Sequence, residues 1–127
     1  MDRLISTAKS LQKKAVEEKH VVDKEEDKRA QRIGYLNTGL LFFDSYFKYE
    51  ESYKKFLEKN TKEYEKVKNE TREKFHSLSF FFKQIAENAY QELKKTSDDE
   101  MRKELSIFAS TCYQCASVSV AKVIFFF

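Results

Sequence analysis

The sequence predicts an all-α fold, an elongated antiparallel bundle of about four long helices with coiled-coil-like seams, and three observations carry that prediction. Proline is absent and glycine occurs only as Gly34 and Gly39, where average usage of roughly 5% and 7% would give about six and nine in a chain this long. Sandwiches, barrels and α/β folds need repeated corners of that kind, so few turns can exist here. Apolar residues recur at intervals of three and four along most of the chain, and charged residues of both signs, 35% of the total, fill the positions between them. At this length one folded unit spanning 1–127 is the expectation, with a core that needs neither disulfide nor metal.

The first helix is expected over about 2–32. Leu4, Ala8, Leu11, Ala15 and Val22 stand four, three, four and seven apart and draw one narrow seam. The run from Asp23 to Arg29 is charged on every side, which suggests a helix projecting past its core as an arm. The only glycine-bearing stretch, Gly34 to Gly39, is where the first reversal is expected, although the register of Ile33, Leu36, Leu40, Phe43 and Phe47 would also continue a helix through it. A second helix, about 36–59, adds the row Phe42, Tyr46, Tyr49, Tyr53 and Phe56. Its apolar face is thus wide enough for two neighbours, which predicts a central position.

Asn60 to Glu63 fits a capping box at the start of a third helix, about 61–95. Its seam is regular: Tyr64, Val67, Thr71, Phe75, Leu78, Phe82, Ile85, Ala89 and Leu93. Ser97, followed three residues later by Glu100, is the clearest helix start, opening a fourth segment over about 98–123. There Met101, Leu105, Phe108, Cys112, Cys115 and Val118 or Ser119 form the expected seam, and from Leu105 to Phe127 only Lys122 is charged.

Composition narrows the function classes. Lys and Arg number 24 against 21 Asp and Glu, a net charge of only +3, and the signs are interleaved. No one-signed stripe recommends nucleic acid as a partner. Twelve Phe and seven Tyr give too much apolar surface for a disordered chain. No apolar leader follows Met1 and only two cysteines occur, so an intracellular, cytoplasmic setting is the expectation. No phosphate loop, nucleophile elbow or calcium loop is present, and no catalysis and no cofactor are expected.

Three signals bear on chemistry. Both histidines stand in Glu-x-x-His, as Glu17 with His20 and Glu73 with His76, the spacing that di-iron bundles place on facing helices. The helical register turns Glu17, His20 and Glu73 away from the seams and leaves His76 at a margin, so exposed side chains are expected instead of a metal site. Cys112-Tyr113-Gln114-Cys115 is a C-x-x-C without the strand and helix start that redox motifs use, and reads as two small buried apolar residues.

The third signal is the apolar segment 105–127. It reaches the ~20 residues that span a bilayer, but its serines favour burial against protein. Val123, Ile124, Phe125, Phe126 and Phe127 are five consecutive apolar residues that cannot all face one core, and are the expected partner-binding residues. The leading expectation is therefore a noncatalytic interaction or assembly protein, a subunit in a homo- or hetero-oligomer. A membrane-associated protein held by 105–127 is the alternative. A helical carrier of an apolar ligand, with the aromatic rows lining a cavity, is the third.

Overall fold

The computed structural model describes residues 2–56 and 62–125. They form four helices, α1 (Asp2–Asp23), α2 (Lys28–Phe56), α3 (Lys62–Lys95) and α4 (Asp99–Phe125), with no strand among the described residues. Each helix packs along the next in the chain, α1 on α2, α2 on α3 and α3 on α4. The cross-helix bonds set the directions: Ser45 meets Ala8, Lys28 meets Glu92, and Leu93 meets Arg102, so consecutive helices are antiparallel. α1 does not pack along α4. The bundle is therefore an open one, with the α2–α3 hairpin central and α1 and α4 as its flanks.

The first reversal is at residues 24–27 and not at the glycines. The charged run expected to be an arm is instead the turn, because its short acidic side chains satisfy the loose backbone donors there. Asp27 caps α2, its Oδ1 accepting the Arg29 amide at 3.1 Å, and Glu25 Oε1 accepts the Asp27 amide at 3.2 Å. Tyr35 donates to Asp23 Oδ1 at 2.6 Å and Gln31 donates to the Val22 carbonyl at 3.2 Å, tying the end of α1 to α2. That hydrogen bond holds the Asp23 carboxyl below its usual range and pushes the Tyr35 hydroxyl up to about 12.

Gly34 and Gly39 lie inside α2, where a helix normally loses about 1 kcal/mol to glycine. Their function is close approach. A Cβ on Gly34 would stand 2.7 Å from Val22 Cγ2, and one on Gly39 would stand 2.5 Å from the Phe82 ring. The side of α2 that meets α1 continues in small residues: Gly34, Thr38, Ser45 and Ser52 recur at four, seven and seven, and Thr38, Ser45 and Ser52 are buried. Opposite them α1 offers buried Ala8 and Ala15, and Ser45 donates to the Ala8 carbonyl at 2.6 Å. In consequence the expected α2 seam is displaced, with Ile33 and Leu40 exposed while polar residues are buried.

The core itself lies between α2, α3 and α4. Phe43 stacks on Phe82 with centroids 5.0 Å apart, and Tyr46 and Phe47 close on Phe75 at 5.9 and 5.8 Å. Phe75, Leu78, Phe82, Ile85 and Ala89 of the predicted α3 seam are buried, with Leu105, Phe108, Cys112 and Ala116 of α4 beside them. The rings fill the space between the helices by packing on one another, where the carrier reading needs them to line a cavity.

α4 begins one residue later than expected. Asp98, not Ser97, is its cap, with Oδ1 accepting the Met101 amide at 3.0 Å and the carboxylate facing the positive helix end. Arg102 then donates to the Leu93 and Thr96 carbonyls at 2.8 and 3.0 Å, satisfying acceptors at the end of α3. Of the capping box expected at Asn60 to Glu63, Asn60, Thr61 and the Glu63 side chain lie outside the described residues.

Candidate functional site

The surface that differs from the rest is the outward side of α4. From Leu105 to Ala121 this helix carries no charge in any direction, a stretch of roughly 25 Å at 1.5 Å per residue. Its buried line is Leu105, Phe108, Ala109, Cys112, Ala116 and Ser119. The expected seam is corrected at Met101, which is exposed, and at Cys115, which is half-buried beside buried Ala116; of the two alternatives at its end, Val118 is exposed and Ser119 takes the core position. This shift follows from helical register, because Val118 lies about 100° round from Ser119 and the small serine fits the crowded side.

Facing away from that line are Ile107, Ser110, Gln114, Ser117 and Val118, all exposed, with Tyr113 and Val120 at the α3 edge. Ile107 is 69% exposed and Ile124 is 64% exposed. The flank continues onto α3 through Phe80, 59% exposed, which His76 meets edge-on at 5.1 Å. Between them runs a groove of about 280 Å³ lined by His76, Phe80, Lys83, Ala116, Val120 and Val123. A second groove of about 410 Å³ lies at the other end of the same face, lined by Leu93, Arg102, Lys103, Ser106 and Ile107. α4 is also long and apolar enough to cross a membrane by length and composition, and only 28% of its most apolar window is buried.

Of the residues expected to bind a partner, Val123 is half-buried and packs against the core, while Ile124 is exposed. Phe125 is in the last turn of α4, and Phe126 and Phe127 lie outside the described residues. The outward stripe from Ile107 to Val118 lies outside the five residues that the sequence points to. Its signal was present: uncharged positions occur on every side of α4, more than one buried seam can use.

Glu17, His20, Glu73 and His76 are all exposed, and no group of three metal-ligating side chains occurs among the described residues. Cys112 and Cys115 are free thiols, the first buried and the second half-buried. Burial and the neighbouring Cys115 push the Cys112 thiol up to about 12, and burial also raises Cys115. A redox C-x-x-C requires the opposite shift, because the thiolate is the reactive form.

Among the described residues one buried charge remains. Glu50 of α2 is 8% exposed, and its Oε1 accepts from Lys122 Nζ of α4 at 2.9 Å, with Lys54 Nζ at 3.7 Å. Lys122, 18% exposed, also stands 5.3 Å from the centre of the Phe47 ring. The charge that interrupts the apolar end of α4 is thus turned inward and neutralised.

The same region sets a pH dependence. Burial, aided by Tyr49, lifts the Tyr46 hydroxyl to about 12, and burial with Glu50 lifts Tyr53 to about 12. The ordinary values are 10.0 for tyrosine and 9.0 for cysteine. The folded chain therefore holds protons that the unfolded chain releases, so stability is complete below about pH 9 and declines as pH rises towards 12. Denaturant midpoints followed by circular dichroism should fall steadily over that interval. A midpoint that is level from pH 8 to 11.5 would contradict this assignment.

No protein-family model, no curated protein and no solved structure matches the chain.

Proposed function

We propose that this chain is a noncatalytic assembly protein that docks a protein partner on the outward face of α4. The observation that carries the reading is the contrast between that face and the rest of the surface. On α1, α2 and α3 the exposed apolar residues, Val16, Val21, Ile33, Leu40, Phe80 and Tyr90, stand among charges of both signs, whereas α4 beyond Leu105 presents Ile107, Val118, Val120 and Ile124 among uncharged serines and Gln114. Protein interfaces are depleted of charge at their centre, and an exposed apolar strip of this kind marks a contact surface. The raised thiols and the separated histidine motifs offer no competing chemistry.

The paired change Ile107→Glu with Val118→Glu tests the reading, since neither side chain is buried and the helix content should be kept. Complexes recovered with the tagged full-length chain from its native source should lose their stoichiometric partners in the variant. An unchanged set of partners would sink the proposal. The length and apolarity of α4 favour a second reading, in which the same face meets a bilayer. Recovery of the native chain only after detergent extraction would favour that reading over the first.

A further inference from the structure

We infer that the partner on the outward face of α4 is a second copy of this chain, joined antiparallel about a two-fold axis at Gln114; the inference rests on the docking reading above. An isologous contact requires a surface complementary to itself, and a stripe without charge meets that condition with no like-charge repulsion. Gln114 also stands near the middle of the uncharged stretch 105–121. Ser110 and Val118 lie four residues to either side of it, and Ile107 and Ala121 lie seven to either side. An antiparallel pair sets these residues across from one another and leaves the two Gln114 amides, each a donor and an acceptor, to bond reciprocally at the axis.

The ends of the helix agree with this direction. With Gln114 on the axis, position 103 of one copy lies across from position 125 of the other. The last turn of α4 and exposed Ile124 then reach the groove formed by Leu93, Arg102, Lys103 and Ile107 of the second copy. That groove supplies apolar side chains to Ile124 and cations to the negative end of the α4 dipole.

Charge over the whole bundle points the same way. In the end of the bundle made by residues 2–14, 44–56, 62–76 and 113–125, Lys and Arg exceed Asp and Glu by five. In the remaining end, 15–43 and 77–112, they fall short by two. Antiparallel pairing sets the basic end of one copy beside the acidic end of the other, whereas parallel pairing would set like beside like. A stable dimer needs about 800 Å² from each partner. Over the roughly 25 Å of the uncharged stretch this would be a strip about 30 Å wide, so the contact also takes in the Phe80 and Val120 flank and the charged first turn of α4.

Charge variants at the axis test the geometry. Gln114→Glu and Gln114→Lys each place two like charges against one another while leaving the monomer's core untouched. Sedimentation equilibrium of the full-length chain from 1 to 200 μM should give a dimer. Each variant alone should dimerise at least tenfold more weakly, and an equimolar mixture of the two should recover the dimer. Wild type that remains monomeric at 200 μM overturns the inference, as does a dimer indifferent to both charges or a mixture that fails to recover. Binding of monomeric wild type to phosphatidylserine vesicles would overturn it in favour of a bilayer. If self-association is absent and the Ile107/Val118 variant still loses its native partners, the docking reading stands and only the identity of the partner is wrong.

Discussion

Phe82→Ala is expected to destabilise the bundle by about 3–5 kcal/mol, the cost of deleting a large side chain from a well-packed core. Phe82 has no exposed surface, stacks on Phe43 and lies against Gly39, one of the two places in α2 where the backbone has no Cβ. The partner change is Gly39→Ala. Helix propensity alone would stabilise this variant by about 1 kcal/mol. A Cβ 2.5 Å from the ring, however, forces Phe82 or the whole of α2 to move, and overpacking of this kind costs about 1–3 kcal/mol. The clash outweighs the propensity because the nearest atoms belong to a ring held on several sides. The two changes should not add. With Phe82→Ala already made, Gly39→Ala should become neutral or stabilising, and urea titrations of the four chains would show it. Additive losses would mean that the glycine serves some purpose other than room for the ring.

The second large effect is expected at the ion pair between α2 and α4. Lys122→Leu keeps most of the side-chain volume but leaves the Glu50 carboxylate buried, with Lys54 still at 3.7 Å and Oε2 without a hydrogen-bond partner among the described residues. Removing one member of a buried pair costs roughly 3–5 kcal/mol, and Lys54 moderates this to about 3. Replacing both members, Glu50→Leu with Lys122→Leu, should restore stability to within about 1 kcal/mol of the wild type, since two apolar side chains pack without desolvating a charge. Thermal unfolding of the single and double variants decides the matter. If the double variant is as unstable as the single, the pair contributes more than mutual neutralisation.

These two sites also show what the sequence can and cannot disclose. The α3 seam was legible because its apolar spacing is regular and its neighbours are charged, so one register alone buries the apolar side. The α2 seam was not. There the side facing α1 is written in Gly34, Thr38, Ser45 and Ser52, and small or polar residues leave no trace in an apolar pattern even when they are buried. The same blindness placed the first reversal at the glycines, since close approach and chain reversal both ask for glycine. The Glu50 to Lys122 contact joins residues 72 positions apart, a distance no local pattern spans. For the candidate site, the loss of charge after Leu105 was readable directly. Which side of α4 remained uncovered depended on how α3 received it, and hence on register that only the folded chain supplies.

The small-residue seam has a kinetic consequence. α1 buries only Ala8, Ala15 and Val22 among its apolar side chains, so shape and backbone proximity hold it in place more than apolar area does. The stacked rings and the Arg102 bracket tie α2, α3 and α4 together, while α1 adds Ala8 and half-buried Ile5 to their core. Hydrogen exchange should therefore find α1 the first of the four helices to open, with its amides exchanging ahead of those of α2, α3 and α4.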